Sequence, residues 1–508
     1  MHSMRIALSG VLACWVLVLS GQGFNRRYDA FGQGNLQDGW DIEPNLGGYL
    51  VLGGSYEPDT VFLDSVMLVG TYTAILSQID ENGNLLWQRR TKVPWHAVYL
   101  GWTNCCDTVH GGGFIAGGSI EDTASNISAR LARYSPGGDT LWTRSCGSPQ
   151  HFWSGLQAKQ SSDGGFLLCG YTDSTGYQDG FVIRTDSDGN EQWRQTYGWA
   201  VPVYIDGLLS IHENGNGVLY MSGSRFTSAE EDQHWVQRTD SNGELIWRVS
   251  WGGPYKEGST GLIVLSDGYP LVIGGSAYGP EYAEMRPYMA KLDTIDGSII
   301  WEREYGEMMY GTQFFAAKEV PNGDLIACGR TYVNSNSHGL LVRTTSTGDS
   351  VWFKAYIYQD SVVSTGEGRF HDVLPTPDGG FIAAGYALPT VGYSQDAWVV
   401  KVDSLGCIVP GCDGVGVREV VTNLQNALTL APNPAHGQVR VQVALPPSLR
   451  GKSDLKLTLV NASGQVALVQ PAHEGDNTLP LGALSSGVYY VHLSSSITWF
   501  SGTKLIIE

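Results

Sequence analysis

Residues 180–193 read GFVIRTDSDGNEQW, and the chain says nearly the same thing again as HWVQRTDSNGELIW at 234–247 and YMAKLDTIDGSIIW at 288–301. Each copy is an aliphatic run, an Asp-rich turn with Gly, and a Trp four residues after that Gly. The Trp recurs as Trp87, Trp142, Trp193, Trp247, Trp301 and Trp352, at gaps of 55, 51, 54, 54 and 51 residues, with Gly83, Gly138, Gly189, Gly243, Gly297 and Gly348 four positions earlier. A second mark, a short apolar run closing on Gly, precedes each copy: GGYLVLGG from Gly47, GGGFIAGG from Gly111, GGFLLCG from Gly164, GVLYMSG from Gly217, GYPLVIGG from Gly268 and NGDLIACG from Asn322. GGFIAAG from Gly379 adds a seventh.

Every copy holds four strand-like runs; in the third they are FWSGLQAKQ, GFLLCGY, GFVIRTD and EQWRQTY. Runs of this length bounded by Asp-Gly, Asn-Gly and Gly-Gly are antiparallel strands joined by tight turns. Four strands in each unit of this period, repeated radially, predict a β-propeller of seven four-stranded blades over 24–412. The recurring Trp offers a flat apolar face for packing one sheet on the next. After AWVVKVDSLG at 397–406 there is no fourth strand with Trp, while FNRRYDAFG at 24–32 resembles the orphaned fourth strand of other copies. The N-terminal strand is therefore expected to close the last blade and cover its open edges.

Composition agrees with an all-β reading. Glycine is 66 of 508 residues, charged residues only 16% and aromatics 11%, a turn-dense and aromatic-rich mixture. A net charge of -19 excludes a nucleic-acid partner, because phosphate binding needs a basic surface. Residues 1–23 carry Arg5, an apolar stretch from Ile6 to Leu19 and then small residues, the layout of a secretory signal peptide cleaved between Ser20 and Phe24. That stretch is too short to span a bilayer, and no transmembrane segment is expected elsewhere.

Residues 413–426 break the repeat and read as a linker, and period-2 strands over 427–508 predict a small Ig-like β-sandwich. Pro432-Asn433-Pro434, the turn ending at Gly464, Gly487-Val488-Tyr489-Tyr490 and the terminal run from Lys504 resemble the C-terminal sorting domain of type IX secretion substrates of the Bacteroidota. The resemblance implies passage through the outer membrane, recognition by the type IX machinery as partner, and a protein released or held at the cell surface.

No constellation for chemistry emerges. There is no HExxH, no GxSxG and no P-loop, and neither a metal site nor a cofactor is expected. Cys407 and Cys412 flank a short turn in an exported chain, so a local disulfide is expected. Cys105-Cys106, on the first, channel-lining strand of the second copy, reads as a structural or reduced pair, with a strained vicinal disulfide as the alternative. Quinoprotein dehydrogenases are similar in having such a pair and an Asp-to-Gly-to-Trp spacing, but their calcium ligands and catalytic Asp find no counterpart here. The sialidase Asp-box differs by one position in its Trp.

Turns one-two and three-four are uniformly short, whereas the opposite face carries long aromatic connections at 55–72, 89–102, 224–234, 276–288 and 386–396. Loops on a rigid scaffold carry function, so Tyr56, Trp95, His96, Trp102, Tyr282 and Tyr393 are the candidate contacts for a ligand. The expected activity is non-catalytic binding of a glycan or a surface protein. A propeller enzyme, quinoprotein-like or polysaccharide-active, is the alternative, and it requires two carboxylates, or a carboxylate and a His, converging on that face.

Overall fold

The computed structural model describes residues 23–508 apart from 29–35, 58–70, 94–95, 149, 200–205, 227–231, 256, 280–283, 308–310, 334–335, 359–366, 389–394, 413–419, 423, 425, 447–448, 452–453 and 497. Residues 1–22 of the expected signal peptide 1–23, and Trp95, Tyr282 and Tyr393, lie outside the described residues. Among them the chain is all-β, without helices long and apolar enough to cross a membrane. Four-stranded antiparallel sheets follow one another in chain order, an arrangement consistent with a propeller. The third is typical: Trp153–Gln160, Phe166–Thr172, Asp179–Thr185 and Glu191–Tyr197 lie side by side in sequence order. Its middle strands are buried almost throughout and its last strand is exposed on alternate residues, as expected for inner and outer positions of a stacked sheet.

The opening motif now has a physical account. Asp186 Oδ1 accepts the backbone N–H groups of Asp188 (2.9 Å) and Asn190 (2.8 Å), and Asp80, Asp240 and Asp403 hold the corresponding turns in the same way. The Asn190 side-chain amide, which donates to Asp186 Oδ2, and then these backbone donors keep the Asp186 carboxyl below its usual range. Gly189 follows at φ +78°, where a side chain is strained. The space is filled as well: a Cβ there would stand 2.7 Å from the Trp142 ring of the preceding sheet.

That contact recurs around the molecule. Trp87 lies under Gly138, Trp193 under Gly243, Trp247 under Gly297, Trp301 under Gly348 and Trp352 under Gly406. All six indoles are half-buried, each in the seam toward the next sheet. The last sheet, Glu367–Pro375, Phe381–Leu388 and Asp396–Val402, is completed by Phe24–Tyr28, in register from Phe24 opposite Lys401 to Tyr28 opposite Ala397. Phe24 stands where the other sheets have Trp and packs under Gly83.

Seam packing can be separated from backbone strain by comparing two glycines. Gly164 has φ +88° with nothing within 4 Å of an added Cβ, whereas Gly189 has the Trp142 ring. Both alanine variants carry a left-handed backbone penalty of about 1–2 kcal/mol. Gly189→Ala is expected to lose roughly 1–3 kcal/mol more in urea unfolding, the usual cost of overpacking.

The C-terminal part is two sheets around one core that includes Val439, Val441, Leu457, Leu459, Val491 and Leu505. It does not hang free. Val420–Thr422, inside the expected linker, pairs in parallel with both Ser350–Ile357 and Thr498–Ile507 and joins two sheets into one. Three residues are too few for a strand to be read from pattern.

Candidate functional site

The first strand of each sheet is an inner edge, with backbone groups unpaired on one side. In the third to sixth sheets and in the last, this strand carries a bulge at the same place, and the extra residues are Leu156, Leu209, Thr260, Phe315 and His371. The first sheet has Trp40 there, and the second has an insertion at 101–105 that includes Trp102. Bulges re-aim side chains, and here they gather an aromatic plug. Ring centroids are 4.3 Å apart for Trp40 and His371, 5.4 Å for Trp40 and Trp102, and 5.4 Å for Phe315 and His371. Thr103 Oγ1 donates to the Phe315 carbonyl from across the axis (3.2 Å). Trp102, expected on the long-loop face as a ligand contact, thus belongs to the plug, because its segment is an insertion within an inner strand rather than a connection.

One step further along, side chains satisfy the N–H groups of the neighbouring inner edge. Asp41 Oδ2 accepts Cys106 N–H (2.7 Å), Gln157 Oε1 accepts Ile211 N–H (2.6 Å), Ser210 Oγ accepts Leu262 N–H (3.2 Å) and Asp372 Oδ2 accepts Ile42 N–H (3.4 Å). Burial, and then the neighbouring Asp372 and Glu43, push the Asp41 carboxyl well above its ordinary range. Beyond it, Glu43, Asp107, Lys159, His212 and Lys318 occupy one register on five inner strands. Asn104 Oδ1 accepts Lys159 Nζ (2.9 Å) and Lys318 Nζ (3.4 Å), which come from different sheets. Burial raises Glu43 to about 7 and lowers His212 to about 4. The axial polar groups are therefore spent on backbone donors and on one another, and this tier cross-links inner strands.

Cys105 and Cys106 are buried free thiols, both pushed well up by burial and then by Asp41. The Cys105 carbonyl accepts Gly117 N–H and Ala158 N–H, so the pair serves the insertion. Cys407 and Cys412 form a disulfide (Cα–Cα 5.5 Å). Cys169 and Cys328 are buried and free.

On the long-loop edge a different feature assembles. Tyr56 and Tyr72 face each other across adjacent strands with ring centroids 5.1 Å apart, and the Tyr99 ring follows 4.9 Å from Tyr72. Tyr72 is 39% exposed. Tyr99 Oη donates to Glu121 Oε2 (2.9 Å), which orients the last ring, and burial and then this carboxylate raise its hydroxyl. His96 lies just upstream in a short bridge with Val93. Sequence reasoning named Tyr56 and His96 and singled out both segments, but missed Tyr72 and Tyr99. Their alternation with the strand ends, which turns them to one side, was the available signal.

In the C-terminal part, Asn433 Oδ1 accepts Ile506 N–H (2.9 Å) and Asn433 Nδ2 donates to the Lys504 carbonyl (2.8 Å). The Pro432-Asn433-Pro434 block is thereby tied to the terminal strand. Tyr489 Oη donates to the Ser485 carbonyl, and Gly464 turns the hairpin at φ +79°. Gly487 opens the strand that contains Tyr489.

Comparison with known proteins gives two family matches. Residues 127–383, just over half of the chain, match the family described as outer membrane protein assembly factor BamB. Residues 429–508 match the secretion system C-terminal sorting domain. No curated protein matches the chain. Among solved structures it is similar to PorZ, a surface component of the type IX secretion system of Porphyromonas gingivalis, at 10% identity and TM-score 0.32, covering 91% of this chain and 69% of that one. It is similar to the outer coat vertex of COPII on membranes at 11% identity and TM-score 0.44, covering 82% and 98%. The quinohemoprotein alcohol dehydrogenase of Comamonas testosteroni follows at 12% identity and TM-score 0.32, covering 86% and 73%.

Proposed function

The chain belongs to the family described as outer membrane protein assembly factor BamB, and from that premise we propose that it is a non-catalytic surface module that binds a glycan. Its C-terminal sorting domain marks it for export by type IX secretion, to the cell surface or the medium. In this reading residues 1–23 are removed as a signal peptide. Residues 24–412 form one seven-bladed ring closed by the N-terminal strand, 413–426 link it to an Ig-like sandwich, and 427–508 engage the type IX machinery. The succession of seams from Phe24–Gly83 to Trp352–Gly406 supports the blade number.

The observation that carries the binding role is the row Tyr56, Tyr72 and Tyr99 on the long-loop edge. Adjacent rings with polar tips at one edge offer flat apolar faces for the C–H face of sugars, with hydroxyls beside them. The axial carboxylates favour the same reading over an enzyme, since Asp41 and Asp372 each hold a backbone N–H of the next inner strand.

A glycan array probed with the mature chain tests this. Tyr72→Ala is expected to weaken the best glycan at least tenfold, the loss usual for a ring at the centre of a contact. Tyr99→Phe, which removes only the hydroxyl, is expected to keep most of the affinity. A blank array with capture of a defined surface protein moves the assignment to a protein ligand. Turnover in a quinone-linked dye assay overturns the non-catalytic reading.

A further inference from the structure

A cleft of about 430 Å³ opens where the end of Leu245–Trp251 meets the next sheet, and its walls include Trp251, Glu257, Tyr278, Tyr288, Glu302 and Glu304. Three carboxylates and three aromatic rings thus share one opening at the long-loop side, away from the tyrosine row. The polar groups are pre-oriented. Trp251 Nε1 donates to Tyr288 Oη (3.1 Å), Tyr288 Oη donates to Glu302 Oε2 (2.6 Å), and Tyr278 Oη donates to Glu304. Arg286 sits 3.5 Å from Glu304, and Arg303 is turned to Asp349. Among the described residues no Lys or Arg pairs with Glu257 or Glu302.

A second observation points into the same place. His234, 1% exposed, is stacked between Trp251 (5.2 Å) and Tyr288 (4.8 Å). Its Nδ1 meets Ser259 Oγ at 3.1 Å, whereas Nε2 has no hydrogen-bond partner and points at Glu257 Oε2 from 4.0 Å. That separation exceeds a hydrogen bond. A buried polar atom left unmatched beside a buried carboxylate calls for a further group.

We propose that this cleft binds an organic ammonium group, with Glu257 and Glu302 supplying the counter-charge and Trp251 and Tyr278 the aromatic walls. Carboxylates with adjoining ring faces recognise alkylammonium groups by charge and by attraction to the ring quadrupole. The site is independent of the tyrosine row and of the glycan reading. Two sources share this chemistry, a lysine side chain and an amino sugar.

Calorimetric titration of the mature chain with Nα-acetyl-lysine methylamide and with glucosamine tests it, against the neutral isosteres Nα-acetyl-norleucine methylamide and N-acetylglucosamine. Binding of either ammonium probe, at least tenfold tighter than its isostere and weakened at least fivefold by Glu302→Gln on the cleft rim, supports the proposal. Which probe binds then identifies the source. Glu257→Gln is expected to do the same, and the rim variant stands alone if that buried substitution prevents folding. Equal binding of a neutral isostere, unchanged affinity in folded Glu302→Gln, or no heat from either probe at millimolar concentration overturns it.

Discussion

Asp41→Ala is expected to cost the ring about 3 kcal/mol in urea unfolding, and Asp41→Asn less than about 1 kcal/mol. The alanine leaves Cys106 N–H buried without an acceptor, a penalty of roughly 1–3 kcal/mol, and opens a small void beside it. Asparagine keeps an acceptor oxygen in the same place. It also mimics the form the site prefers, because burial among Asp372 and Glu43 holds the carboxyl protonated far above its ordinary range. The sign of the pH dependence follows. A carboxyl whose folded pKa is raised binds its proton more tightly in the folded state, so its contribution is full below the unfolded value near 4 and declines as pH rises. Wild type should therefore lose more stability than Asp41→Asn between pH 4 and neutrality. Equal pH profiles would mean that Asp41 is ionised in the ring. A harmless Asp41→Ala would mean that the inner edges need no side-chain acceptors.

The repeat was legible because its signals are local. Asp186, Gly189 and Trp193 sit within eight residues, and a turn held by Asp, a left-handed Gly and a strand-borne Trp each leave a fixed mark. The partner of each Trp is a turn in the next sheet, which no single unit reveals, although the constant period places it there. The axis was not legible. An inner-strand bulge shifts by one residue which side chains face inward, and a one-residue slip reverses faces. His371 and Phe315 therefore could not be assigned to the plug, and Trp102 was read onto the wrong surface. Aligning the units on their closing glycines puts Lys159, His212 and Lys318 at one offset, and that polar register was available. The tyrosine row was half legible: both segments stood out, but Tyr72 and Tyr99 meet only through cross-strand geometry. His234 beside Glu257 was not legible at all, since the two are 23 residues apart, one on a strand and the other in the connection that leads into the next sheet.

The second large effect is expected at Trp499. This indole is 1% exposed and belongs to the same buried cluster as Phe370, Trp398, Cys407 and Ile408 of the repeat body. Its Nε1 donates to His492 Nδ1 (3.0 Å), which leaves the proton on Nε2 to donate to the Pro410 carbonyl (3.1 Å). The turn closed by Cys407 and Cys412 therefore seats the sorting domain, with Gly411 against Val460 and Val409 against Gly502. Trp499→Ala empties this seat at a cost of about 3–5 kcal/mol, and the loss falls on the contact between the two parts. Segment 413–426 should then be cut by added protease at least tenfold faster, while Gly189 and its neighbours in the third sheet keep their amide protection. Acid acts on the same contact. Burial lowers His492 to about 4, so its contribution is full above the unfolded value near 6.5 and falls as pH drops through 4. Cleavage of wild type should accelerate across that window, and the acceleration should largely vanish in Trp499→Ala, where the imidazole is already released. Slow, pH-independent cleavage of the variant would show that the parallel pairing through Val420–Thr422 holds the two parts together by itself.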